Sequence, residues 1–140
     1  MRENIIVQLE SLLNASVDIQ TVFRQFRLLD TVSNRQYPCV FIEEDLPELG
    51  YAWKSSGYAD VRFQVNLLEA VHSPNNVAST MNNFDVAVKK VIAANPTLNG
   101  SCMRATLEPE TERLGTQYAP YGLVRRPVTI IYEGSATNGY

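Results

Sequence analysis

Tyr58-Ala59-Asp60-Val61-Arg62-Phe63-Gln64-Val65-Asn66-Leu67 decides the fold class. Ala59, Val61, Phe63, Val65 and Leu67 alternate strictly with Asp60, Arg62, Gln64 and Asn66. That period of two predicts a strand with one buried and one polar face, reaching to Val71. Such strands belong to antiparallel sheets covered by helices on one side. The polar face is left to meet either solvent or a partner subunit.

Working outward, residues 2–14 form a predicted helix, with Ile5, Ile6, Leu9, Leu12 and Leu13 on one stripe and Asn14 as its stop. From Asp18 the pattern turns strand-like, with Val22, Phe26 and Leu28 sharing a face with Arg24. A polar turn over 30–36 leads to a second strand, Tyr37-Pro38-Cys39-Val40-Phe41-Ile42, dense in β-branched and aromatic residues. Leu46 to Gly57, punctuated by Pro47 and Gly50, reads as a loop. Ser73-Pro74 is expected to open a second helix, with Ser73 as N-cap and Pro74 at its first position. Val77, Met81, Phe84, Val88, Val91 and Ile92 mark its core stripe, and Asn95-Pro96 ends it. Two strands follow, Ser101 to Leu107 and Leu123 to Glu133, with Pro127 expected at an edge or bulge. The predicted order is α-β-β-β-α-β-β: an α+β fold, a mainly antiparallel sheet with two helices packed on one face. Residues 1–134 are expected to form a single domain and 135–140 a flexible tail.

Composition narrows the function. With 45% hydrophobic and 19% charged residues among 140, the chain reads as globular rather than disordered. A net charge of −3, from 12 basic and 15 acidic side chains, does not suggest nucleic-acid binding. No apolar run approaches the ~18–20 residues of a bilayer span. Met1-Arg2-Glu3-Asn4 leads into a charged amphipathic segment rather than the continuous apolar run of a signal peptide. No membrane partner is expected.

Candidate chemistry is sparse. His72, the only histidine, has no nucleophile motif beside it, and a pocket enclosing it with a carboxylate would be needed to make it a base. Cys39 and Cys102 read as reduced, buried thiols. Glu108, Glu110 and Glu112 share a face in extended chain but have no evident cleft. Glu43-Glu44-Asp45 alternate across a strand end, which opposes convergence on one cation. No dinucleotide, Walker or HExxH motif is present. No cofactor, no metal and no catalytic activity are expected. Tyr51, Trp53 and Tyr58, large aromatics in a loop-like stretch, are either interface anchors or a cover folded over the sheet edge.

The chain resembles the tail terminator (tail-completion) proteins of long-tailed bacteriophages, including the lambda-type minor tail proteins. The resemblance runs over nearly the whole chain in order and spacing. It is carried by the N-terminal helix, the strand Tyr37 to Ile42, the alternation Val61-Arg62-Phe63-Gln64-Val65, and Arg125-Arg126-Pro127-Val128-Thr129-Ile130-Ile131-Tyr132. Its most telling piece is the turn Asn95-Pro96-Thr97-Leu98-Asn99-Gly100-Ser101-Cys102.

The resemblance implies a homohexameric ring that caps the tail tube, stops its polymerisation and offers a surface to the head–tail connector. The implied partners are further copies of the chain, the tail tube protein and the connector, with genomic DNA only passing through the lumen. The implied location is the head-proximal end of the virion tail, after assembly in the host cytoplasm. Tyr51, Trp53 and Tyr58 are candidate anchors for such a ring, and Arg125 and Arg126 candidate cross-subunit partners for Glu43, Glu44 or Asp45. The alternatives are a neck or head–tail joining protein of the same fold, and a small α+β ligand-binding domain or enzyme.

Overall fold

A computed structural model of the protein describes residues 1–54 and 57–135. The elements are α1 (Arg2–Asn14), β1 (Thr21–Phe23), β2 (Cys39–Glu43), β3 (Glu48–Trp53), β4 (Tyr58–His72), α2 (Val77–Ala94), β5 (Arg104–Leu107), β6 (Glu112–Leu114) and β7 (Tyr121–Ser135). The fold is α+β.

Its spine is one strand pair. β4 and β7 run antiparallel over 15 residues each, from Tyr58 opposite Ser135 to His72 opposite Tyr121. Each flank of this pair carries two short strands end to end. β3 and β2 share β4, and β5 and β6 share β7. β1 completes the seven-stranded sheet beside β2 and makes its only parallel pairing among the described residues.

Both helices lie on one face. Ile5, Ile6, Leu9 and Leu13 of α1, with Val77, Met81, Phe84, Val88 and Ile92 of α2, pack against Val61, Phe63, Val65, Leu67, Val128, Ile130 and Tyr132. Arg2 fastens the start of α1, donating to the carbonyls of Glu44 and Leu46 and lying over the Phe63 ring. A smaller core occupies part of the other face, where the chain between β1 and β2 lays Val32 and Tyr37 over Phe41, Leu68 and Ala70. β4 is therefore buried on both sides near its end, and this is why its alternation stops at Leu67-Leu68.

The structure departs from the sequence reading at several places. The strand expected through Leu28 ends at Phe23, because Arg24 turns away to bridge Glu3 and Glu44. Phe26 leaves the sheet plane to pack on the Phe41 ring at 5.2 Å. The stretch expected as a loop contains β3, which supplies the backbone partner that Ala59 to Phe63 need on that edge. β6 is likewise a strand in an expected connection. α2 begins at Val77 rather than at Pro74, since β4 runs on to His72 and the Ser73 amide donates to the Pro120 carbonyl. Ser73 Oγ accepts from the Asn76 amide at 3.3 Å, closing the turn before the helix.

Pro127 sits in an internal strand, at the break between β5 and β6, where its carbonyl accepts from the Glu108 amide. The turn from α2 to β5 puts Leu98, Asn99 and Gly100 at positive φ, with Leu98 fully buried. Ser135 ends β7, and the rest of the expected tail, 136–140, lies outside the described residues.

Gly122 leaves room for Met81 of α2 against β7. A Cβ there would stand 2.5 Å from Cγ and Sδ of Met81 and 3.1 Å from Cγ2 of Val71. Gly122→Ala is expected to lower unfolding stability by about 1–3 kcal/mol, through overpacking. Met81→Ala in that background should recover part of the loss, a non-additivity that urea titrations of the four proteins would measure.

Candidate functional site

β3 is the most open element. All six of its residues are exposed, including Leu49, Tyr51 and Trp53. Tyr51 and Trp53 stand two residues apart and therefore on one face, their rings stacked at 6.1 Å. Their cross-strand neighbours are Val61 and Ala59, so this is the face that carries the helices. Tyr51 also donates its hydroxyl to Glu48. Tyr58, at the start of β4, belongs to the opposite face and is exposed. The three aromatics expected as one group are thus a stacked pair plus a separate residue across the sheet. Lys54 braces the adjoining strands, reaching Glu133 at 2.7 Å and Asp60 at 3.1 Å.

The charged candidates separate by strand parity. Arg125 faces the polar side, where its Nη1 donates to Glu43 Oε1 at 2.7 Å. Glu112 lies 3.6 Å from its Nη2. Asn66 donates to the same Glu43 oxygen, while Gln64 donates to Thr129 and Thr129 to Glu108. These polar side chains form a belt across β2, β4 and β7. Glu44 accepts two hydrogen bonds from Arg24, and Asp45 is exposed beside it. Arginine–carboxylate pairs expected between subunits are therefore made inside one chain for Glu43 and Glu44.

Arg126 is the clear correction. It was expected either to pair across subunits or to face solvent, but it is 6% exposed and turned under α2. Adjacent residues in a strand point to opposite faces, so Arg125 and Arg126 cannot act as one surface patch. The Arg126 guanidinium makes three contacts of 3.0–3.1 Å with the Asp85 carboxylate and donates to the Glu108 carbonyl at 2.9 Å. Glu69 completes the buried group, with Oε2 at 3.6 Å from Arg126 Nε. Lys89 reaches Asp85 from the helix surface at 3.0 Å.

Burial pushes the Glu69 carboxyl up to about 9, helped by hydrogen bonding to Asp85 and by its charge, against Arg126 and Lys89. Burial also acts to raise Asp85, but hydrogen bonds with Glu69, Lys89 and Arg126 outweigh it and hold that carboxyl below its ordinary value. Sequence reasoning missed both acids. The available signals were the odd register of Glu69 on the apolar face of its strand, and the place of Asp85 beside Phe84 on the helix stripe.

The remaining candidates scatter. Glu108 accepts from Thr129, Glu110 takes a two-pronged pair from Arg113, and Glu112 lies near Arg125, so the three acids serve three different partners. Arg113 holds the Glu110 carboxyl below its usual range through those hydrogen bonds. Among the described residues, no group of three or more His, Cys, Asp and Glu side chains is arranged to hold a metal ion. His72 packs against the rings of Tyr37 and Tyr121, at 5.9 and 5.3 Å, in a three-ring cluster whose tyrosines are 6.0 Å apart. Cys39 and Cys102 are buried free thiols, and burial pushes Cys39 up to about 12. No described helix is long and apolar enough to cross a membrane.

Comparison with known protein families and with curated proteins finds no match. The surface geometry therefore carries the functional reading.

The two arginines should respond very differently to truncation. Arg126→Ala strands the buried Asp85 charge and is expected to cost about 3–5 kcal/mol. Arg125→Ala removes a half-exposed pair and should cost no more than about 1 kcal/mol. Urea midpoints of the two variants would check the contrast.

Proposed function

We propose that the protein is a structural virion component: a tail terminator that assembles into a homohexameric ring, caps the tail tube and presents a surface to the head–tail connector. The observation that supports this reading is β3, a strand on a sheet flank whose six residues are all exposed, rich in apolar residues and carrying a stacked aromatic pair. Exposed apolar edge strands invite pairing with another chain, and monomeric proteins commonly blunt them with lysine or proline. Aromatic side chains on such a strand are the residue type that anchors protein contacts.

A ring needs a heterologous contact, in which one patch meets a different patch on the next copy. The β3 flank and the opposite flank at β5 and β6 are two such patches, separated by the rigid β4–β7 pair. Exposed Asp45 and Tyr58 border the β3 side. The polar belt around Glu43 and Arg125 already satisfies its hydrogen bonds internally, so it presents a fixed charge pattern to whatever it meets. Exposed pairs of this kind set register more than strength. The role is contact, and it has no chemical step.

Ring formation by the purified chain, alone and with tail tube protein, tests the reading by native mass measurement and negative-stain microscopy. The parent is expected to form six-membered rings. Trp53→Ala should weaken their association about tenfold or more, the effect of losing an anchor worth about 1.4 kcal/mol or above. Unchanged assembly of Trp53→Ala would remove β3 from the interface, and failure of the parent to form rings under both conditions would remove the ring. The double change Arg125→Ala, Arg126→Ala is unsuitable here, because Arg126 holds the fold.

A further inference from the structure

The buried group under α2 has an imbalance that geometry alone exposes. Glu69 and Asp85 bring two carboxyls to one guanidinium, with all three side chains no more than 6% exposed as residues. Arg126 spends its hydrogen bonds on Asp85 and on the Glu108 carbonyl. Its Nε lies 3.6 Å from Glu69 without a hydrogen bond. Both Glu69 oxygens are sealed from water and accept no hydrogen bond from the ordinary donors around them.

A second cation near Glu69, Lys89, is engaged with Asp85 at 3.0 Å. Arg126 faces it from β7, and Asp85 and Lys89 face it from α2. Arg113 of β6 and Glu110 before it are paired with each other, and Glu110 also comes within 3.9 Å of Arg126 from the outer side. From β2 its cross-strand neighbour is Val40, and from β7 it is Val124, both buried and apolar. An ionised carboxylate in that position has neither water nor a hydrogen bond. A neutral carboxyl needs less and turns its O–H into a donor for Asp85.

We propose that the folded protein keeps one proton on Glu69, donated to Asp85, and that this proton latches α2 and the β5–β6 connection onto the long strands. Asp85 then receives hydrogen bonds from Glu69, Arg126 and Lys89, while Arg126 is left to hold the Glu108 carbonyl. Loss of the proton sets two buried carboxylates against each other beneath the helix, and alkaline pH therefore loosens α2. The proposal concerns the single chain and stands whether or not rings form.

The sign of the pH effect follows from where the proton is held. An unfolded glutamate releases it near 4.5, and folded Glu69 near 9. The contribution of this site is complete below the unfolded value and is lost as pH rises through the folded one. Between the two, each pH unit shifts unfolding about tenfold toward the open chain at this site.

Carbon-13 NMR of glutamate-labelled protein tests the proton directly. One carboxyl is expected to titrate several pH units above the others, to vanish in Glu69→Gln, and to shift down toward them in Asp85→Asn. Urea unfolding from pH 6 to 9 tests the latch. The parent's unfolding constant should rise about tenfold per pH unit relative to that of Glu69→Gln. A Glu69 resonance titrating with the remaining glutamates, or a constant ratio between parent and variant across that range, would overturn the proposal.

Discussion

The full-length pairing of β4 with β7 is the constraint on which the rest of the molecule depends. Two 15-residue strands locked in one register fix the parity of every side chain along them. A one-residue slip of β4 would exchange its faces, sending Val61, Phe63 and Val65 to the polar side and Arg62 and Gln64 into the core. The two helices can cover only one face, so the apolar parity selects where they dock. Each flank is then left with a long strand needing backbone partners, and the short strands β2, β3, β5 and β6 supply them.

The same parity shapes the charged groups. Arg125 and Arg126 are neighbours in sequence, yet one organises a polar belt and the other a buried cluster on the far side of the sheet. Both reach across the break between β5 and β6, Arg126 to the Glu108 carbonyl just after β5 and Arg125 to Glu112 at the start of β6. The segment joining the two strands crosses that break at Pro127, where the ladder lacks a proline N–H, and the two side chains hold what the backbone there cannot. An acidic protein thus uses two of its nine arginines to tie its own sheet together, while the apolar and aromatic groups of β3 stay exposed.

Much of this architecture is legible in the sequence because long amphipathic patterns report burial directly. The alternation from Ala59 to Leu67 and the helix stripes of Ile5 to Leu13 and Val77 to Ile92 each place many residues on the observed face. The short strands are not legible, because β3 and β6 are strands through their neighbours' need for a partner rather than through their own composition. Glu48-Leu49-Gly50-Tyr51 has turn chemistry and no alternation, and Glu112-Arg113-Leu114 is too brief to show any. The segment after Phe23 misleads in the opposite sense. Its alternating Phe26 and Leu28 look like a strand, but an ion-pair bridge at Arg24 redirects the chain. The burial of Arg126 was within reach, since Val124 and Val128 share its parity.

The proposed role as a tail terminator is tested most directly by removing the protein from the assembling particle. In a phage carrying this gene with an early stop codon, electron microscopy of lysates should show overlong or irregular tails without heads. Tails of normal length beside filled heads, or intact infectious particles, would contradict the assignment as the protein that ends the tube.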